Sequence, residues 1–504
     1  VKRRPDLWIA LGLFVGAWGI RLALASRLAF PPLDDPAFYI QTARHLAEGR
    51  GLVSDVLWSY QFPFTHLTHP SHEYWMPMAT LLMAPWIKAL GDSLLDAQLP
   101  GTLCGALLVP LTYALGRIVR PQDRRVAIGA ALLPLAAALP VYQSASADSA
   151  APFALLGASA LLAGGLAVDR PSSWLSLLAG ILGGLSYLTR SDGMLIPVVI
   201  GAYVLWRTRP WRRVVLQLSL LAVGALIPMA AWWIRNLLVF GVLQPVPPAV
   251  AAALQDYAQM FNWNDPPTFQ SLLARGAGFV ARLRLQAMWH NLRVWVLIAF
   301  PFGLFGWLGL VRSRRATTSL GLAYAVLLML TSALAFSVPA LAGLFYHSAG
   351  AFLPWLAVGA AVVIARVGRW RRSVAMGLGV ATAVLIVVQS GLAWPRAVED
   401  STRNAQTFEE AAAWLSANVG PDEPVIATQA HTLNYASGQP AMSLPVGQDV
   451  AHLRDLAEHY GARYVLITES VGRYPAALDE QVGTGIDLVH RAPGLLVYRI
   501  ESPQ

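Results

Sequence analysis

One cysteine in 504 residues, Cys104, lies inside an apolar run, so neither a disulfide framework nor a thiolate metal site can organise this chain. Charge is low as well. Asp, Glu, Lys and Arg make up only 13% of the residues against 56% hydrophobic ones, and the mean hydropathy is +0.50. That balance excludes a soluble globular chain and a disordered one, and leaves a polytopic membrane protein. The net charge of +9 does not mark a nucleic-acid binder, because the arginines sit in short clusters between apolar runs and not along one stripe. His-Glu-x-x-His is absent, and no internal repeat of the kind found in many transporters is present.

A span needs about 20 apolar residues. Candidate stretches run over 7–29, 97–119, 126–142, 150–168, 174–188, 194–206, 214–233, 294–311, 317–338, 349–365 and 373–394, about 11 in all. The first, preceded by Lys2, Arg3 and Arg4, is too long for a cleaved signal peptide and reads as an uncleaved span. Arginine clusters at 117–125, 170, 207–213, 312–315 and 366–372 fall at every second connection, which the positive-inside rule makes cytoplasmic. The other face then receives Asp34, Asp35, Asp148, Arg190, Arg235, His347 and everything after Trp394. From about Arg396 the composition becomes that of a soluble domain, with helices expected over 407–418 and 449–460, strands at 425–427 and 464–468, and a hairpin over 488–500. The expected fold class is a polytopic α-helical membrane protein with interfacial helices in the first outer loop and a C-terminal soluble α/β domain, divided at 395/396.

The first outer loop, from Pro31 to about Asp96, is far longer than a connector needs to be. Its adjacent acids Asp34 and Asp35 follow the first span directly, and charge at a membrane surface is costly unless it has a task. Pro36 suits a first helical position and Asp35 the cap before it, in a surface helix ending near Gly49. Asp34, one residue outside that cap, is the freer carboxylate and the candidate base. A second interfacial helix is expected over 74–90. Between the two lie His66, His69, His72 and Glu73, which invite a metal reading, but Pro70 breaks helical ligand spacing, so no metal or other cofactor is assigned and a divalent ion is the disfavoured alternative.

Further candidates lie downstream. Asp148 opens a span, where a helix N-terminus favours an acid. Arg190 and Arg235 stand at span ends, able to clamp a phosphate bidentately or simply to reach headgroups, and Asp192 offers Arg190 a local partner. Arg21, inside the first span, reads as snorkelling. Tyr39, Glu73 and His347 join Asp148 as candidates on the sugar or acceptor side. Residues 237–293, rich in aromatics near 257–263, suit a lid.

These motifs resemble membrane glycosyltransferases of the GT-C type that use polyprenyl-phosphate sugars, closest to relatives of the protein O-mannosyltransferases and the aminoarabinose lipid A transferases. Asp34-Asp35 stands where the family has an Asp followed by Asp or Glu. His69-Pro70-Ser71 with Tyr74-Trp75 resembles a Lys-Pro-Pro and Tyr-Trp pattern whose lysine contacts the donor phosphate, with histidine replacing lysine. Asp148, Arg190 and Arg235-Asn236 match a second acid, a basic residue near the lipid phosphate and a recurrent Arg-Asn. The likeness covers residues 1 to about 395.

The resemblance implies inverting transfer of a sugar from a polyprenyl-phosphate donor to a lipid, glycan or protein hydroxyl. Asp34 would be the base, assisted by Asp35, while Arg190, Arg235, His69 and His72 hold the phosphate. The bilayer is the remaining partner, and the expected location is the inner cell membrane with a cytoplasmic N-terminus. An ion-coupled transporter and a polysaccharide polymerase or ligase using a lipid pyrophosphate are the alternatives. Topology is directly testable. A Ser416→Cys variant should react with an impermeant thiol reagent in intact cells; labelling only after lysis would place the C-terminal part in the cytoplasm.

Overall fold

In a bilayer the backbone has no water to bond, so the apolar part of the chain must satisfy itself with helices. The computed structural model describes residues 4–501 apart from 171, 299, 302, 304, 305, 312, 314 and 469–473; the basic residues at 2, 3, 312 and 314 thus lie outside the described residues. Among the described residues seven helices are long and apolar enough to cross a membrane: Pro5–Ala25, Leu94–Val119, Ala150–Asp169, Trp211–Phe240, Ala316–Ala335, Leu344–Trp370 and Arg372–Asn418. A bent pair, Arg124–Ala136 and Ala138–Ala145, adds an eighth with a 55° break.

The expected 11 spans are therefore too many on these criteria. Stretches 174–188 and 194–206 are helices of 17 and 13 residues, Ser173–Thr189 and Leu195–Arg207. Stretch 294–311 is not one helix: Ala277–Ile298 ends before Pro301, and a short helix, Gly306–Leu310, follows.

Two packing solutions shape the end of the bundle that matters below. Gly180 in Ser173–Thr189 lies so close to Trp211–Phe240 that a Cβ there would come within 2.2 Å of the Leu221 carbonyl oxygen, and one on Gly224 within 2.4 Å of that of Leu177. Small residues let the two backbones touch, which is how helices associate where water gives no driving force.

The second solution is Arg21. It does not snorkel; it is fully buried. Its guanidinium donates to Pro134 O at 3.1 Å, Leu135 O at 3.3 Å and Ala17 O at 3.1 Å, and to Ser144 Oγ at 3.2 Å. The break at Ala137 strands the last carbonyls of Arg124–Ala136, and Arg21 supplies the donors that the helix no longer can.

The C-terminal part is built on a six-stranded sheet. Strands β1 (Val53–Ser54), β2 (Val56–Leu57) and β3 (His69–Pro70) come from the first long loop, and β4 (Val425–Ala427), β5 (Ala441–Ser443), β6 (Tyr464–Ile467), β7 (Ile486–Ala492) and β8 (Leu495–Ile500) from the C-terminal part. The sheet order is β2-β5-β4-β6-β8-β7, parallel from β2 to β6 and antiparallel beyond. An edge strand is thus lent by the first loop, with Val56 opposite Ala441 and Leu57 opposite Met442.

The expected boundary at 395/396 falls inside a single helix of 47 residues, Arg372–Asn418, with Pro395 within it. Its apolar first half faces lipid. Its second half turns Ser401, Ala405, Phe408, Ala411 and Leu415 inward, a helical stripe that packs on the sheet. The expected strands and the 450–460 helix are present, and a helix over Ala430–Ser437, unanticipated from sequence, lies between β4 and β5.

Replacing Arg21 tests the stitched break. Arg21→Met keeps length but strips its carbonyl partners, each costing about 1–3 kcal/mol when buried, so the melting temperature of the detergent-solubilised protein should fall by many degrees. A melt indistinguishable from wild type would restore the snorkelling role.

Candidate active site

The acids of the first loop open a helix, Asp34–Ala47, whose N-cap is Leu33. Asp35 is therefore not the cap, because the helix starts two residues before Pro36. Phe38, Tyr39, Ile40 and Ala43 bury one side of this helix against Trp75, Ala79 and Met83, and Thr42 Oγ1 meets Thr80 Oγ1 at 3.0 Å. The second interfacial helix, Met78–Leu90, thereby holds the first.

Neighbouring residues on a helix point about 100° apart, and the two acids take different surroundings. Asp34 Oδ1 accepts from Thr432 N at 3.0 Å and from Thr432 Oγ1 at 2.8 Å, in the C-terminal part. Asp35 receives the Trp75 indole N–H and shares its electrostatic neighbourhood with Asp148, His347 and Arg190. The expectation that Asp34 is the free carboxylate is corrected by this contact.

Asp148 lies in the turn between Ala138–Ala145 and Ala150–Asp169. The preceding residue, Ala147, is fully buried at φ 55, a left-handed conformation that alanine rarely adopts. That turn lets Ser149 N and Oγ, the latter at 3.0 Å, donate to Asp148 Oδ1, while His347 Nδ1 lies 3.0 Å from Oδ2. Arg190 ends Ser173–Thr189, and Gly193 turns the chain back so tightly that a Cβ would sit 2.5 Å from the Ser186 carbonyl. Its Nε donates to Ser348 Oγ at 3.0 Å and lies 3.4 Å from Asp192 Oδ1. Consecutive residues His347 and Ser348 thus tie Asp148 and Arg190 into one frame. The Tyr39 hydroxyl joins it through Ser149.

The electrostatics divide the two acids. Burial, and then the charge of Asp148, raise the Asp35 carboxyl above its ordinary value. Burial also works to raise Asp148, but the His347 ring and the Arg190 guanidinium outweigh it and hold this carboxyl low. Burial likewise would pull Arg190 down, and Asp192, Tyr39, Asp148 and Asp35 together push it up instead. A carboxylate poised to take a proton beside one that stays ionised, with a fixed cation, is suited to deprotonating a hydroxyl and stabilising a departing anion.

The other expected residues gather elsewhere. Arg235 Nη2 donates to Ser71 O at 3.0 Å and its guanidinium lies 4.8 Å from the ring centres of Trp232 and Phe240. Beside it are buried His72, at φ 67, and buried Glu73. Burial and then Arg235 push the His72 ring down to about 3, and burial pushes the Glu73 carboxyl up from its ordinary value. His69 does not offer a free ring to a phosphate: its nitrogens lie 2.9 Å from Pro70 O and 3.0 Å from Val56 O, and the ring stacks on Phe64. His66 is exposed. Arg190 and Arg235 have different polar partners, Ser348 and Asp192 for the first and Ser71 for the second. Residues 257–263 are fastened and not free to act as a whole lid, with Met260 O accepting from Ser59 Oγ at 3.0 Å and Trp263 N donating to Gln448 Oε1 at 2.6 Å. Ser149, Ser348 and Thr432 were not singled out from the sequence, because isolated hydroxyls carry no local pattern.

Residues 68–234 match the family described as dolichyl-phosphate-mannose-protein mannosyltransferase, a segment that includes Asp148 and Arg190 but stops short of the two N-terminal acids. No curated protein matches the chain in sequence. By structure the chain is similar to ArnT from Cupriavidus metallidurans bound to undecaprenyl phosphate, with a TM-score of 0.58 and 16% identity over 98% of this chain and 99% of that one. The same protein in the apo state gives 0.56 and 16% over the whole of both chains. The archaeal oligosaccharyltransferase AglB from Archaeoglobus fulgidus, in complex with an inhibitory peptide and a dolichol-phosphate, gives 0.50 and 14% over 91% of this chain and 69% of that one. The expected resemblance to GT-C glycosyltransferases is borne out, in sequence over residues 68–234 and in fold over nearly all of the chain.

The coupling of the two acids predicts a titration. The infrared carbonyl band of protonated carboxyls should persist above the ordinary aspartate range and lose one component in Asp35→Asn, while the component from Glu73 remains. In Asp148→Asn the neighbouring negative charge is gone, so the Asp35 component should titrate at lower pH. An unmoved component in that variant would mean that the carboxylates do not sense each other.

Proposed function

We propose that the protein transfers a sugar, with inversion, from a polyprenyl-phosphate donor to an acceptor hydroxyl at the extracytoplasmic membrane surface, with Asp35 as general base. The observation that carries this reading is the convergence of Asp35, Asp148, Arg190 and His347, from four separate segments, at one end of the bundle.

The acceptor oxygen attacks the anomeric carbon as the bond from that carbon to the phosphate oxygen breaks, and the hydroxyl proton passes to Asp35. Polyprenyl phosphate leaves with the electron pair, and its growing negative charge lies within reach of Arg190. One displacement inverts the anomeric centre. Asp148 stays ionised, so it is no rival for the proton; with Tyr39 and His347 it is suited to hold sugar or acceptor hydroxyls. Arg235, backed by Ser71 and set between two aromatic rings, is a second cationic group available to a lipid phosphate. Asp34, expected from the sequence to be the base, is given a holding role here because its carboxylate already accepts from Thr432.

The two acids separate in a single experiment. Membranes containing the protein would be supplied with undecaprenyl-phosphate-linked hexoses and pentoses chosen after mass spectrometry of co-purifying lipids, and release of undecaprenyl phosphate followed. Asp35→Asn should slow release by about 100- to 10,000-fold, the usual worth of a general base. Asp34→Asn, whose amide oxygen still accepts from Thr432, should keep most of it. An active Asp35→Asn enzyme would falsify the assignment.

A further inference from the structure

The helix Ala430–Ser437 has no side-chain cap of its own, since its N-cap residue, Gln429, makes no capping bond. The first-turn amide of Thr432 is instead satisfied by Asp34, a residue almost 400 positions earlier in the chain. A carboxylate is well suited to that place, being opposite the positive end of the helix dipole. Thr432 is completely buried and gives Asp34 its hydroxyl as well.

The contact continues along both helices. The His431 ring meets Phe38 at 5.0 Å and Trp75 at 5.3 Å, and Trp75 is the residue that donates to Asp35. Gln41 Nε2 donates to Asn434 Oδ1 at 3.1 Å, and the Arg44 guanidinium lies 4.6 Å from the centre of the Tyr435 ring. Residues 34, 38, 41 and 44 form one helical stripe against Ala430–Ser437. Residues 35 and 39 belong to the neighbouring stripe, which faces Asp148 and Ser149.

Adjacent aspartates create an ambiguity that this arrangement resolves. A rotation of the Asp34–Ala47 helix by one residue, about 100°, would carry Asp34 into the surroundings of Asp35 and Asp35 out of them. Resting on the reading of Asp35 as the base, we propose that the first turn of Ala430–Ser437 is a working part of the active centre: it fixes the rotation of the acid-bearing helix and so aims Asp35. Thr432, acting through Asp34, and His431, acting through Trp75, are positioning residues.

Full-length protein in lipid nanodiscs tests this by amide exchange over 34–40 together with undecaprenyl phosphate release. Thr432→Val should speed exchange at 34–40 by about tenfold, the worth of a hydrogen bond to a charged group, and lower the maximal rate while the donor concentration for half-maximal rate stays put. Thr432→Ser, which keeps the hydroxyl, should restore both. Should Thr432→Val fold poorly, Asp34→Ala replaces it, with Asp34→Asn as the restoring partner. Wild-type exchange and rate in Thr432→Val and Asp34→Ala, with Asp35→Asn inactive, would overturn the inference and leave the base intact. Faster exchange in Thr432→Val with Asp35→Asn still active would instead leave the clamp standing and remove the base.

Discussion

Two carboxylates and one guanidinium drawn out of water at the end of a helical bundle set the terms for everything around them. Left to themselves Asp35 and Asp148 repel, and burial penalises each charge. The cost is met by Arg190 and His347, and each of those must be delivered by its own segment. The tight glycine turn after Arg190, the left-handed Ala147 and the consecutive pair His347 and Ser348 are local irregularities that serve this one cluster. Strain of this kind gathers where several groups must meet in one place.

The same logic reaches back into the membrane. Asp148 hangs from the second half of a broken span, and that break is tolerable only because Arg21 bonds the exposed carbonyls. On the opposite side, the acid-bearing helix is braced by Met78–Leu90 and by Ala430–Ser437, while β2 lends the same loop to the sheet. The helical bundle and the sheet-bearing C-terminal part are thus interlocked through the first loop, and neither completes the cluster's surroundings alone.

Much of this was legible in the sequence. Apolar runs gave most of the spans, and Asp35, Asp148, Arg190 and His347 were all among the candidates. The different surroundings of Asp34 and Asp35 were not legible, because they depend on the rotation of a helix whose brace lies near residue 432. Ala430–Ser437 itself hides in a mixed sequence, Ala-His-Thr-Leu-Asn-Tyr-Ala-Ser, with a short apolar stripe and no cap. Arg21 was misread for a related reason: a lone arginine in an apolar run looks the same whether it reaches headgroups or carbonyls. The expected division at 395/396 falls within a helix because composition changes at Arg396 while the helix carrying it does not end.

That uninterrupted helix, Arg372–Asn418, is about 70 Å long at 1.5 Å per residue. Its first half is apolar and largely exposed, as a lipid-facing span would be, and its second half packs on the sheet. A helix of fixed length meets a thinner or thicker bilayer by tilting. Any such tilt is carried, as by a lever, to the sheet and to the turn that holds Asp34. A flexible linker at residue 396 would let the two halves reorient independently, whereas one continuous helix ties the orientation of the sheet to that of the span.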